Sequence, residues 1–477
     1  MVYITGETNT SMATEDRRRE AQHRARQVYG EGSAQLRYPT LDEAKAASGE
    51  RDAILARIGG RTILSCSGTK LASGSLAPGC EICVAGVWSC LFINERCNTR
   101  CFYCPAPQEM TSVPMTNSVP FPRTDEYLEY LARFAFRGVS ISGGEPLLTL
   151  DRTLRFIRAV KRRFAGHHVW LYTNGTLLEP DIVKRLRDAG LDEIRFGIGA
   201  TSYHLDRVQL AVGAIRHVTV EIPAVPEDHE RLEQTLVRMA SLGVSHLNLH
   251  QLRLTRHNFS KLVDRGYTFI HGDNASVLES ELTALRLMEH ALDAGIELPV
   301  NYCSYVYKHR FQRAAARRHA AGPVLRTHEG VTAGGYIRTL TLRAGSDAIA
   351  AAVARLGLAG VQPASWTAAG DRLSFAAELW PVVCPAPTAI SVAYIAPRIL
   401  PGVTYRNPFV ELPLGKGRKI AVERVTAGPE LELDAADAEA LRRQVLEGHA
   451  PDAGSGSPSL HQALVFEAIE TGMQDYF

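Results

Sequence analysis

GVWSCLFINERCNTRCFYCP, Gly86–Pro105, runs a short apolar β-type segment straight into three cysteines, Cys97, Cys101 and Cys104. Three residues separate the first two cysteines and two separate the second pair. The same strand-then-helix rhythm continues downstream. VWSCLFI leads to TDEYLEYLARFAF, GVSIS to LDRTLRFIRAVKRRF, HVWLYT to EPDIVKRLRDAG, DEIRFGI to a short helix, VTVEIPAV to HERLEQTLVRMASLG, and SHLNLHQL follows. The helices have legible ends. Pro180 suits a first turn and Gly190 a C-terminal cap, with Ile182, Leu186 and Ala189 on one face. Leu232, Leu236 and Met239 recur at helical spacing before Gly243. Alternating strands and helices predict a parallel sheet with right-handed crossovers, either open or closed fully or partly into a barrel. In each of these, chemistry belongs at the carboxyl ends of the strands, where the three cysteines fall.

The rest of the chain frames this unit. A length of 477 residues predicts two or three domains, and 45% hydrophobic with 22% charged residues is a globular composition. Residues 1–85 read as an N-terminal extension with metal-binding cysteines, 86–321 as the barrel, and 322–477 as an α+β domain suited to substrate docking. The last begins as a βαββ succession, GYIRTLTLRAG, SDAIAAAVARLG and SWTAAGDRLSFAAELW, and ends in two helices joined by the flexible DAGSGSPS. No apolar run approaches the roughly eighteen residues of a membrane helix, and the start lacks a secretory h-region, so a cytoplasmic protein with no membrane partner is expected. A net charge of +2 names no nucleic-acid partner. Of nine cysteines, seven lie between Cys66 and Cys104, which points to thiolate metal ligation rather than a disulfide framework.

Three thiolates can hold three irons of a [4Fe–4S] cubane and leave the fourth iron to a non-protein ligand. CNTRCFYC matches the CxxxCxxC signature of radical S-adenosylmethionine (radical SAM) enzymes, with Tyr103 as the usual aromatic before the third cysteine. Ser142, Gly143, Gly144 and Glu145 of SGGEP resemble that family's GGE motif, and Thr173 and Asn174 of YTNG its TNG element. Arg195, Glu221 with Ile222, and His250–Gln251 end the fourth to sixth strands, positions that in the family border the ribose, adenine and carboxylate of SAM. The resemblance covers roughly residues 86–304. It implies a partial (βα)6 barrel, a [4Fe–4S] cluster, SAM as ligand, whether consumed or regenerated, and an electron donor such as flavodoxin or ferredoxin. Reduction of the cluster would cleave SAM to methionine and a 5′-deoxyadenosyl radical. The glycine pair would allow close backbone approach to the ligand, and Glu145 would accept from the SAM ammonium. GCEIC, LNLHQL and NYCS add likeness to a mainly archaeal group related to pyruvate formate-lyase activating enzymes. A zinc site completed by another His or Cys is the weaker reading of CxxxCxxC.

A second set comprises Cys66, Cys80, Cys83 and Cys90, and Cys303 at the end of a further strand, ELPVNYCS. The favoured reading is an auxiliary [4Fe–4S] cluster on Cys80, Cys83 and Cys303, with Cys66 or Cys90 as fourth ligand; a structural zinc is the alternative. Cys90, inside the first strand, also suits plain burial. Cys384 is read as structural. Glu221 needs a partner if buried, and Arg195 is the expected one. SGTK at Ser67–Lys70 lacks the spacing of a nucleotide loop. The basic, aromatic stretch Tyr305–His319 suits either phosphates of RNA or a nucleotide or, more simply, a solvated helix face with its aromatics in the domain joint. The function expected is radical modification of a peptide, RNA or natural-product scaffold. The alternatives are activation of a glycyl-radical partner and, more remotely, a zinc-binding RNA module.

Overall fold

In a computed structural model the chain is described over residues 6–108, 113–270, 275–449, 456–473 and 475–476. The first part of the expected DAGSGSPS linker lies outside these residues. Seven parallel strands run in chain order: β1 (Trp88–Asn94), β2 (Gly138–Gly143), β3 (His168–Thr173), β4 (Glu193–Phe196), β5 (His217–Pro223), β6 (His246–His250) and β7 (Val300–Cys303). Each pairs with the next in sequence. A helix follows each of the first six strands, so the unit is a partial (βα)6 barrel with one further strand. Antiparallel segments cap its two edges. Lys70–Ala72, itself paired with Ile63–Ser65, lies against β7, and Met115–Thr116 lies against β1.

Strand alternation divides the barrel into two chemistries. Leu91, Val139, Ile141, Leu171, Ile194, Val220 and Leu249 are buried beneath the helices in one apolar core. Helix Leu150–Arg163 presents Leu154, Ile157 and Val160 to it, each worth roughly 1.5–3 kcal/mol on burial. Helices Pro180–Asp188 and His229–Leu242 stop where glycine takes over, Gly190 at φ 93° and Gly243 at φ 88°. The opposite strand positions, including Cys90, Trp170, Glu193, Arg195, Glu221, Asn248, Asn301 and Cys303, make a largely polar lumen.

The N-terminal segment is built into this barrel. Helix Leu41–Ile58 starts with a capping box between Thr40 and Glu43 and packs on helix Leu278–Asp293. Helix Pro78–Ala85 lies across the amino ends of the strands, where Gly79 N donates to Glu193 Oε2 at 3.0 Å and Ile82 fills the space above Gly138. Downstream, Ile337–Arg343, Ile390–Leu400, Lys419–Thr426 and their neighbours form an antiparallel sheet. Its core of Leu340, Phe375, Trp380, Val392 and Leu441 is separate from that of the barrel. The following segment returns to the barrel. Gly472 N donates to Ser67 O at 2.6 Å, Arg310 Nη1 to Gly472 O at 2.9 Å, and Tyr476 OH to Glu281 Oε1 at 2.7 Å. Among the described residues no helix is long and apolar enough to cross a membrane.

Candidate active site

The CNTRCFYC loop leaves the carboxyl end of β1 and is fastened to the ends of β2 and β3. Gly144 N donates to Asn94 O at 2.9 Å and Glu145 N to Arg96 O at 2.8 Å. A Cβ on Gly143 would stand 2.0 Å from Asn94 O, and one on Gly144 2.0 Å from Arg96 O. Gly143 also has φ 127°. The glycine pair therefore admits the chain's own cysteine loop, a reason the motif alone did not disclose.

Glu145 is fully buried. Its Oε1 accepts from Leu147 N at 2.9 Å and Thr173 Oγ at 2.8 Å, and its Oε2 from Asn174 N at 2.7 Å. Burial nevertheless holds this carboxyl above its ordinary pKa, against those three donors. Two lone pairs per oxygen leave Oε2 one for a ligand donor. Asn174 Nδ2 donates to Asn98 Oδ1 at 2.8 Å and lies 3.7 Å from Cys97 Sγ. Thr99 Oγ lies 3.3 Å from Cys97 Sγ and 3.8 Å from Cys101 Sγ. Cys104 N donates to Cys101 O at 3.2 Å, and burial pushes the Cys104 thiol up. Tyr103 leans on Phe102 edge-on with ring centroids 5.1 Å apart, its hydroxyl against Gly199. Ser142 is half-buried at the end of β2, while Ile222 points into the apolar core and offers a ligand only its backbone.

Cys80 and Cys83, on the helix beneath the barrel, meet Cys303 of β7 inside the lumen. Lys70, 1% exposed, donates from Nζ to Cys303 Sγ at 2.8 Å, and the same nitrogen stands 4.7 Å from the centre of the Tyr307 ring. Asn301 Nδ2 reaches Cys303 Sγ at 3.4 Å, and Asn248 Nδ2 reaches Cys80 Sγ at 3.2 Å. Gln312 Nε2 and Tyr307 OH each lie 3.3 Å from Cys83 Sγ. Burial raises the Cys303 thiol, but Lys70 and Lys308 outweigh it and hold the group below its ordinary value. Burial keeps Cys80 and Cys83 raised. Cys66 sits on a left-handed turn (φ 51°, followed by Ser67 at φ 53°) beside Lys70, Cys83 and Cys303. Cys90 faces the same lumen from β1, its thiol pushed up to about 11 by burial with no cation beside it.

Arg195 and Glu221 form the anticipated pair, Nη1 to Oε2 at 2.7 Å, within a larger network. Arg195 Nε also donates to Glu193 Oε1 at 2.6 Å, and Asn248 Nδ2 to Glu221 Oε2 at 3.1 Å. The guanidinium faces Cys80, and its buried Nη2 has no hydrogen-bond partner among the described residues. His250 is driven down to about 3 by burial and by Lys308. Gln251 is held by the chain, donating to Val277 O at 3.0 Å and accepting from Tyr305 N at 3.2 Å.

The Tyr305–His319 stretch lies at the joint between barrel and C-terminal sheet, with Arg313 and Arg318 exposed and its other basic residues half-buried. Tyr307 is buried, Arg317 Nε donates to Gly334 O at 2.7 Å, Arg318 Nη1 to Ala333 O at 2.8 Å, and Arg310 holds the segment around Gly472. It joins the barrel to the C-terminal sheet through a π-helical turn, Tyr307–Gln312, followed by helix Arg313–Ala321. Lys70, Asn248, Tyr307 and Gln312 had not been singled out as thiol partners. Lys70 left one faint trace, a lone lysine opening the apolar run KLAS.

Among the described residues no three His, Cys, Asp or Glu side chains are gathered closely enough to hold a single metal ion. A cubane asks something different, because each thiolate meets its own iron. Three half-buried thiols on one loop, and three more facing amide, hydroxyl and ammonium donors in the lumen, are donor sets that fit such clusters.

Residues 91–209 match the family model described as the radical SAM superfamily. Over 277 residues the chain is 30% identical to a Methanocaldococcus jannaschii protein provisionally named as a glycyl-radical enzyme activating enzyme, covering 55% of this chain and 72% of that one. It is 35% identical over 120 residues to GTP 3',8-cyclase of Lactiplantibacillus plantarum, covering 24% of this chain and 34% of the cyclase. Among solved structures, Streptococcus suis SuiB bound to S-adenosylmethionine gives a TM-score of 0.34 at 9% identity, covering 66% of this chain and 68% of that one. Escherichia coli coproporphyrinogen III oxidase gives 0.28 at 13% identity, covering 46% and 57%.

Proposed function

The chain belongs to the radical SAM superfamily, and on that premise we propose that Cys97, Cys101 and Cys104 hold the [4Fe–4S] cluster at which SAM is cleaved. When bound, the cluster supplies the electron that splits SAM into methionine and a 5′-deoxyadenosyl radical, which then attacks an unidentified substrate. The carrying observation is the clamp between the cysteine loop and the ends of β2 and β3. Gly143 and Gly144 admit the loop, Glu145 ties β2 to β3, and Asn174 reaches back to Asn98 and Cys97. In this reading Glu145 offers its remaining lone pair to the SAM ammonium, and Ser142, Thr173 and His250 border the ligand. The lumen set, Cys80, Cys83 and Cys303 with Cys66 or Cys90, takes an auxiliary iron–sulfur cluster rather than a single zinc ion, for which no three ligands are gathered among the described residues. In this reading the protein is cytoplasmic, with flavodoxin or ferredoxin as electron donor.

The test is anaerobic reconstitution of the full chain followed by dithionite and SAM. The expected product is 5′-deoxyadenosine; an intact protein that binds no iron or makes none of this product sinks the reading. Modification of a peptide, RNA or natural-product scaffold is the first expectation for the substrate. Activation of a glycyl-radical partner is the second reading, favoured by the name of the archaeal relative. Hydrogen abstraction from a candidate glycyl-radical partner, read as a glycyl EPR signal, separates the two.

A further inference from the structure

Two of the lumen's cations, Arg195 and Lys70, sit in very different company. Arg195 lies between two carboxylates, Glu193 at 2.6 Å and Glu221 at 2.7 Å, so its charge is answered within the protein. Lys70 has no carboxylate partner among the described residues. Its ammonium contacts Cys303 Sγ at 2.8 Å and stands 4.7 Å from the centre of the Tyr307 ring, with the thiols of Cys66, Cys80 and Cys83 nearby. A fully buried ammonium without an anion is costly, so a fold that keeps one there implies negative charge on the sulfurs. An iron–sulfur cluster resolves the imbalance, since ligation deprotonates every cysteine and leaves the assembly anionic.

We propose that Lys70 is the fixed countercharge of an iron–sulfur cluster held by Cys80, Cys83 and Cys303, and that its charge raises that cluster's reduction potential. The proposal rests on the reading that this second set holds iron. Reduction adds one negative charge to the cluster, and a cation in contact with a ligand sulfur stabilises the reduced form more than the oxidised one. Lys70 is thus a positioning residue for charge.

The experiment uses the full chain in a Cys97→Ala/Cys101→Ala/Cys104→Ala background, reconstituted anaerobically, so that only the second site can load. Iron and sulfide content are measured, and the midpoint potential is followed by EPR-monitored titration. In that background Lys70→Met is expected to keep its iron and titrate at a lower potential, with Lys70→Arg close to the parent. Loss of iron in Lys70→Met but not in Lys70→Arg also supports the proposal, because charge is then what the site needs. An unshifted potential in Lys70→Met overturns it, as does loss of iron in both variants, which would mark Lys70 as a matter of shape. If the background protein itself holds zinc or no iron, the second-cluster reading falls and takes the proposal with it, an outcome visible before any lysine variant is made.

Discussion

Cys97, Cys101 and Cys104 come from a single loop, whereas Cys80, Cys83 and Cys303 come from a helix beneath the barrel's amino end and from the carboxyl end of its last strand. The loop set is held by backbone hydrogen bonds and by two glycines that let main chain pass within contact of main chain. The lumen set is held by long side chains reaching sulfur, Lys70, Asn248, Tyr307 and Gln312. One site is thus specified by local geometry and the other by the completed fold. The first tolerates change in distant residues but none in its glycines, and the second depends on partners scattered through the chain.

The sharpest way to break this comparison is to remove one loop thiol. Cys101→Ala is expected to reduce 5′-deoxyadenosine formation to background while iron at the lumen site persists; parallel loss of both would show that the sites do not load independently. Next in size is Gly144→Ala. Its Cβ would meet Arg96 O at 2.0 Å, so a loss of about 3 kcal/mol or more in urea unfolding is expected. A loss under about 1 kcal/mol would mean that the loop yields easily.

Glu193 tests the lumen through pH. Burial raises its pKa, but Arg195 and His168 overcome this and hold it far below the usual carboxylate range. A depressed folded pKa contributes stability that is present above the unfolded value, about 4.3, and is lost as pH falls toward the folded one. Glu193→Gln should therefore cost about 3 kcal/mol at neutral pH and flatten the loss of stability below about pH 5, as read from unfolding midpoints across that range. An unchanged acid profile would remove Glu193 from the lumen's charge balance. The smallest effect is expected at Cys90, which has no cation beside it. Cys90→Ala should leave iron content unchanged and shift stability by about 1 kcal/mol; lost iron would instead make Cys90 the fourth ligand.

The loop site was largely legible because its parts are short and contiguous: the CxxxCxxC spacing, the glycine pair with Glu145, and Thr173–Asn174 after β3. The barrel was legible for a related reason, since each strand–helix unit carries its own periodicity and caps. What escaped was distance. Lys70 and Cys303 are 233 positions apart, Gln312 and Cys83 are 229, and no local pattern marks either contact. The carbonyl contacts of Arg310, Arg317 and Arg318 escaped too, because a basic helix reads alike in sequence whether it faces solvent or carbonyls of its own chain. Arg195 and Glu221 were the exception, since a charged residue on an otherwise apolar strand calls for a partner wherever the strand goes.

The contact between Gly472 and Ser67 implies an order of assembly. The left-handed turn that carries Cys66 is fastened by a segment synthesised only after the whole antiparallel sheet has emerged. The same segment fixes Arg310, one helical turn from the side chains that touch Cys83. During translation Cys66, Cys80 and Cys83 are therefore made well before the segment that fastens their surroundings. A chain interrupted before Gly472 would keep the contacts of its Cys97–Cys104 loop while leaving the Cys66 turn unlatched.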